Sequence, residues 1–186
     1  MDPTGSFFYF CSNETVNGLE FDFDTFPWHL IPEGMPVVAD MSSNIGTKPV
    51  PWDKISVAFM GAQKNLGSSG CAVIVVREDL LGSADPDTPA LCDWTLNENA
   101  PDHYYNTPSV FPIYVTGLNV KYMNDMGGLD YYNHISQQKS DLLWATIDGS
   151  DGFYSSKIAI DSHRSRVNVV FRVLDGNTEL EEAFIS

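Results

Sequence analysis

Four short apolar runs punctuate the first half of the chain: FFYFC (residues 7–11), MPVVAD (35–40), ISVAFM (55–60) and CAVIVV (71–76). They are rich in β-branched and aromatic residues and are bounded by turn formers, which predicts strands. The runs do not alternate, as expected of a sheet covered on both faces in an α/β fold. Residues 113–124 and 129–147 carry helical periodicity, split by Gly127-Gly128. In the second of these, Tyr132, Ile135, Leu142 and Leu143 fall near one face, which reads as a packing face. Between strands and helices, residues 82–110 are rich in Pro, Asp, Asn and Thr and read as a long excursion.

From Gly152 the texture changes. SRVNVVFRV (165–173) alternates, placing Val167, Val169, Phe171 and Val173 on one side of a half-buried antiparallel strand. Thr178, followed three residues later by Glu181, has the form of a capping box that opens a helix. These signals predict a larger unit over residues 7–148 and the start of a small α+β domain over 149–186. A helix that opens so near the last residue reads as an incomplete chain.

Composition narrows the function classes. The chain has 186 residues, 43% apolar, and a net charge of −15. That charge argues against nucleic acid or an anionic membrane as partner, because both attract clustered Lys and Arg. No apolar run reaches bilayer-spanning length, and the opening MDPTGSFFYFC lacks the basic start of a secretory signal. Cys11, Cys71 and Cys92 are few, odd in number and far apart, as in a reduced cytoplasmic protein. The four histidines show no ligand spacing with them, so no metal site is expected. Asn13-Glu14-Thr15 matches a glycosylation sequon, which in a reducing compartment reads as chance.

The candidate chemistry lies in GAQKNLGSSG (61–70), a polar loop between two predicted strands. It is not a phosphate-binding P-loop, because Lys64 precedes Gly67 where that motif has lysine last, and no dinucleotide GxGxxG is present. A lysine at a strand end can instead form a Schiff base with an aldehyde cofactor. Pyridoxal phosphate also needs an acid for its pyridine nitrogen and donors for its phosphate. Asp40, ending the preceding strand, suits the first need. The loop's N–H groups, Gln63, Ser68 and Ser69 suit the second. Taken singly, Lys64 reads as a solvent-facing lysine and Asp40 as a turn or cap acid. Strand–Asp, strand–Lys and a Gly/Ser loop in one order favour the cofactor.

Six segments then carry a family resemblance: CSNETVNGLEF (11–21), VVADMSSNIGTKPV (37–50), GAQKNLGSSGCAVIVVREDLLG (61–82), NTPSVFPIY (106–114), GGLDYYN (127–133) and SRVNVVFRV (165–173). In this order they resemble the phosphoserine aminotransferases, fold-type I pyridoxal-phosphate enzymes of the class-V aminotransferase family. The resemblance implies part of the large domain of that fold, with a mainly parallel sheet. It implies Lys64 as the catalytic, cofactor-linked lysine and Asp40 as the partner of the pyridine nitrogen. It further implies Thr15 beside the ring hydroxyl, Gln63 on the phosphate, and Asn106 and Thr107 reaching the cofactor of the other subunit in a homodimer. The implied reaction is amino transfer between glutamate and 3-phosphohydroxypyruvate, giving phosphoserine and 2-oxoglutarate, in serine biosynthesis.

Family members are roughly twice as long, so the resemblance also implies that parts of the cofactor cradle and the substrate arginines lie outside this chain. Residues 1–6 do not resemble the family and read as a leader. Arg164 and Arg166 read as strand-flanking surface charges. The alternative to the enzyme is a non-catalytic fragment or paralogue keeping a partial cradle. A related fold-type I enzyme such as a desulfurase would need a mobile catalytic cysteine, and none of the three sits in a lid motif.

Overall fold

The computed structural model describes residues 2–186. The four apolar runs form one sheet: β1 (Phe8–Cys11), β4 (Val37–Asp40), β5 (Val57–Gly61) and β6 (Ala72–Val76), in that spatial order. β1, β4 and β5 run parallel and β6 is antiparallel to β5. The sheet is therefore mainly parallel, as expected. A short hairpin, β2 (Asn13–Glu14) with β3 (Leu19–Glu20), follows β1 directly.

One face of the sheet packs against the main core. Phe10, Val37, Ala39, Ala58 and Met60 point into a core with Phe23, Phe26, Ile55 and Leu66. An aromatic cluster closes one end, with the Phe26 and Trp28 rings 4.4 Å apart. The opposite face carries Tyr9, Cys11, Asp40, Phe59 and Ile74, and there Tyr9 and Ile74 are exposed. The sequence pattern promises cover on both faces, and β6 lacks it within these residues.

The excursion is not structureless, because it holds a one-turn helix, α1 (Trp94–Glu98), capped by the Asp93 carboxylate. α2 (Val110–Asp125) starts three residues earlier than the periodicity indicates, and α3 (Gly128–Asp148) follows Gly127 at φ +117° and Gly128 at φ +66°. The packing face of α3 differs from the expected one. Leu142 and Leu143 are exposed, and the helix buries Ser136, Ser140, Trp144 and Ile147. Serines belong there because their hydroxyls find carbonyls: Ser136 donates to Thr47 and Ser140 to Gln137.

The strand expected over 165–173 also contracts. Only β8 (Arg172–Val173) pairs, with β7 (Tyr154–Ser155). Residues 165–168 are engaged by side-chain bonds to Asn13 and Glu20 instead of by a ladder. α4 (Thr178–Ile185) begins at the expected place, but Asn177 is its cap, accepting from the Leu180 N–H. Glu181 turns away from the cap to form a paired bond with Arg172.

Candidate active site

Three parallel strands end on the same edge of the sheet, and each delivers one predicted site residue there. β1 leads into the hairpin that carries Thr15, β4 ends in Asp40, and β5 leads into the Lys64 loop. The carboxyl edge of parallel strands is where α/β folds bind ligands, since successive loops converge on one crevice.

The Lys64 amine donates to the Thr15 hydroxyl at 2.7 Å, joining two segments that sequence order keeps apart. Asp40 is half-buried, and its Oδ1 accepts from the Ser42 N–H at 2.8 Å. The strand register places Asp40 on the sheet face that carries the stacked rings of Tyr9 and Phe59. Cys11 pairs with Asp40 across the sheet. Burial pushes its thiol up from the ordinary value and Asp40 adds to this, while Lys64 opposes it. A thiol held protonated is a poor nucleophile.

The Thr15 turn is built tightly. Glu14 accepts from the N–H groups of Val16 and Asn17, and these bonds hold its carboxyl below the usual range. Gly18 sits at φ +75°, where a Cβ would lie 2.6 Å from the Asn168 carbonyl. Only glycine fits that approach.

Behind the turn lies a buried polar network that the sequence reading missed. Asn13 donates to Ser43 and Asn168 and accepts from Ser165. Glu20 is 3% exposed, pairs with Lys48 at 2.8 Å, and accepts from the Asn44 amide and the Arg166 N–H. Every member has partners, which makes such a network rigid. It ties the residues after Asp40, the Thr15 hairpin and the 165–168 segment into one body. The signal was present in SNET and MSSN, runs of short polar residues beside strands, but turn chemistry explains such runs equally well. With Asn13 1% exposed and bonded on both sides, the sequon is closed to modification.

The remaining predicted residues lie apart. Gln63 is exposed and lies against Gly61. Asn106 and Thr107 are exposed in the segment leading into α2, and no hydrogen bond joins them to Lys64, Thr15 or Asp40 among the described residues. Arg164 is no surface charge. Its side chain is 14% exposed, lies over the Trp144 ring and bonds both oxygens of Asp148. Arg166 donates to Asn133. Both line an acidic cleft of about 540 Å³ that Glu20 and Lys48 of the network also border.

The residues present fit a pyridoxal-phosphate-type group: an exposed amine with a hydroxyl bonded to it, a half-buried carboxylate at the same sheet edge, and a polar loop beyond.

A model of the aminotransferase class-V family matches residues 1–182. A probable phosphoserine aminotransferase of Dictyostelium discoideum is 41% identical over 184 residues, covering 98% of this chain and 48% of that protein. The phosphoserine aminotransferase structure from Bacillus circulans subsp. alkalophilus matches with a TM-score of 0.84 at 34% identity, over 96% of this chain and 47% of that one. A pyridoxal-phosphate-bound phosphoserine aminotransferase from Trichomonas vaginalis matches at 0.79 and 34% identity, over 90% and 47%. The chain thus spans about half the length of the curated relatives it matches.

Proposed function

Since the chain belongs to the class-V aminotransferase family, we propose that it carries the lysine-bearing half of a phosphoserine transaminase, which moves an amino group between glutamate and 3-phosphohydroxypyruvate in serine synthesis. The observation that carries the reading is the meeting of Lys64 and Thr15 on the strand edge that ends in Asp40. Asp40 would hold a proton at the ring nitrogen of pyridoxal phosphate. Gln63 and the loop N–H groups would hold its phosphate. When bound, the cofactor supplies an aldehyde that joins amines and a ring that withdraws electrons. Lys64 would provide the joining amine and, once displaced by substrate, would take up and return the proton at the reacting carbon. Thr15 would hold that amine in place.

The working unit in this reading is a homodimer in which Asn106 and Thr107 reach the partner's cofactor. In support, both residues are exposed, and α2 beyond them presents Phe111, Tyr114, Leu118 and Tyr122 along one exposed stripe. Apolar stripes of that length mark contact surfaces. The three cysteines are free thiols, which supports a cytoplasmic setting.

The test is capture of pyridoxal phosphate by this chain and by Lys64→Ala, read by absorbance and by borohydride trapping with peptide mapping. Label on Lys64, absent from the variant, supports the reading and justifies an assay with phosphoserine and 2-oxoglutarate. A folded chain that takes no label refutes cofactor binding by these residues and favours a non-catalytic role.

A further inference from the structure

One face of α2 runs along the back of the lysine loop. Pro112, Thr116, Asn119 and Met123 recur at spacings of four, three and four, so they share that face. Each meets the loop or the turn after Asp40. A Cβ on Gly70 would lie 3.1 Å from Pro112, and one on Gly46 would lie 3.0 Å from the Met123 methyl. At Gly67 a Cβ would lie 2.8 Å from the Thr116 Cα, so helix and loop backbones are in direct contact. Between these contacts, the Asn119 side-chain nitrogen donates to the carbonyls of Asn65 and Leu66, both at 3.0 Å. These are the two residues after Lys64. Asn65 in turn donates to the Ile45 carbonyl at 2.6 Å, in the turn that follows Asp40.

We propose that Asn119 is a positioning residue for Lys64, holding the loop by its two carbonyls so that the amine is presented to Thr15. The inference rests on the cofactor reading only for what Lys64 does, not for the clamp itself. An amide nitrogen has two hydrogens, and here both are used on consecutive carbonyls, which fixes the loop in rotation as well as in distance. The apolar members of the face could only press against the loop. Asn119 alone pulls on it. Because α2 begins just after Asn106 and Thr107, the same helix also links the Lys64 loop to the segment assigned to the partner's site.

The experiment compares Asn119→Ala and Asn119→Gln with the wild-type chain. Hydrogen exchange is read at the Leu66 and Gly67 amides, which bond to the Ala62 carbonyl, against Met41 and Ser56, which flank β4 and β5 and bond to the Phe59 and Val37 carbonyls of the sheet. Loss of both bonds in the alanine variant should speed the loop amides by about tenfold or more and leave the sheet amides unchanged. Glutamine, which keeps both hydrogens, should restore part of the protection. In parallel, trinitrobenzenesulfonate labelling of Lys64 is measured relative to the exposed Lys54. The alanine variant should change that ratio by roughly threefold and lower trapped pyridoxal phosphate by roughly fivefold, both following from the lost bonds. Unchanged loop exchange overturns the proposal. So does faster exchange with an unchanged Lys64 ratio, because the clamp would then be structural only. If the wild type traps no cofactor, the cofactor reading fails, and the labelling ratio still decides the role of Asn119.

Discussion

Lys64 and Thr15, 49 positions apart in the chain, are joined by a 2.7 Å hydrogen bond from amine to hydroxyl. The bond exists because β1 and β5, which flank β4 in the sheet, run parallel and release their loops at the same edge. It makes the threonine a direct restraint on the Lys64 amine. Replacing Thr15 with valine keeps the shape and removes the acceptor. Capture of pyridoxal phosphate on Lys64 should weaken by about fivefold, the usual effect of one lost hydrogen bond, while Thr15→Ser stays near wild type. Equal trapping by Thr15→Val and wild type would mean that the bond plays no part in presenting the amine.

The contact between Gly67 and Thr116 predicts two opposite changes in stability. Gly67→Ala would put a methyl 2.5 Å from the Thr116 hydroxyl oxygen and 2.8 Å from its Cα, so backbone must move. Overpacking of this kind costs about 1–3 kcal/mol. The Thr116 hydroxyl is itself buried and finds no partner among the described residues. Thr116→Val removes that unmet group at nearly constant shape and should stabilise by up to about 1 kcal/mol. Urea midpoints of the two variants should move in opposite directions.

Glu20 and Lys48 form the charged centre of the network, with side chains 3% and 11% exposed. Lys48→Met would leave the glutamate buried with only neutral donors, a loss of about 3 kcal/mol or more. Adding Glu20→Gln should recover much of that loss, because the stranded charge is gone. A double variant no more stable than Lys48→Met alone would contradict this account of the pair.

Asp148 gives a pH signature. The Arg164 guanidinium bonded to its carboxylate holds its pKa below the usual value. The unfolded chain therefore takes up this proton first on acidification. The stabilising contribution is complete above the ordinary aspartate value of about 4 and is lost as pH falls through the lower folded value. Between pH 7 and pH 3 the urea midpoint of wild type should fall further than that of Asp148→Asn. Parallel curves would mean that the pair adds nothing to acid sensitivity. The carboxylate is more than half exposed, so the difference between the curves will be modest.

Much of the architecture was legible from local pattern. The four strands, the break at Gly127-Gly128 and the start of α4 follow from apolar runs and turn chemistry, which act over a few residues. The order strand–Asp40, strand–Lys64 likewise pointed to one edge of a sheet. Where the reading failed, a distant partner had overridden the local signal. Residues 165–168 alternate like a strand, yet Ser165 and Asn168 are bonded by Asn13, some 150 positions earlier. Leu142 and Leu143 look like the packing side of α3, yet that side belongs to Ser136 and Ser140, whose hydroxyls are satisfied by carbonyls no periodicity can reveal.

The sequence by itself thus determined the four strands of the main sheet and the positions of Asp40 and Lys64 at strand ends, because these depend on residue type and short-range order. Tertiary structure alone decided that Thr15 meets Lys64, that Asn119 grips the loop behind it, and that a buried network locks the Thr15 hairpin. These depend on which segments share an edge or a helix face, and hydrogen bonds between groups so far apart leave no periodic trace in the chain.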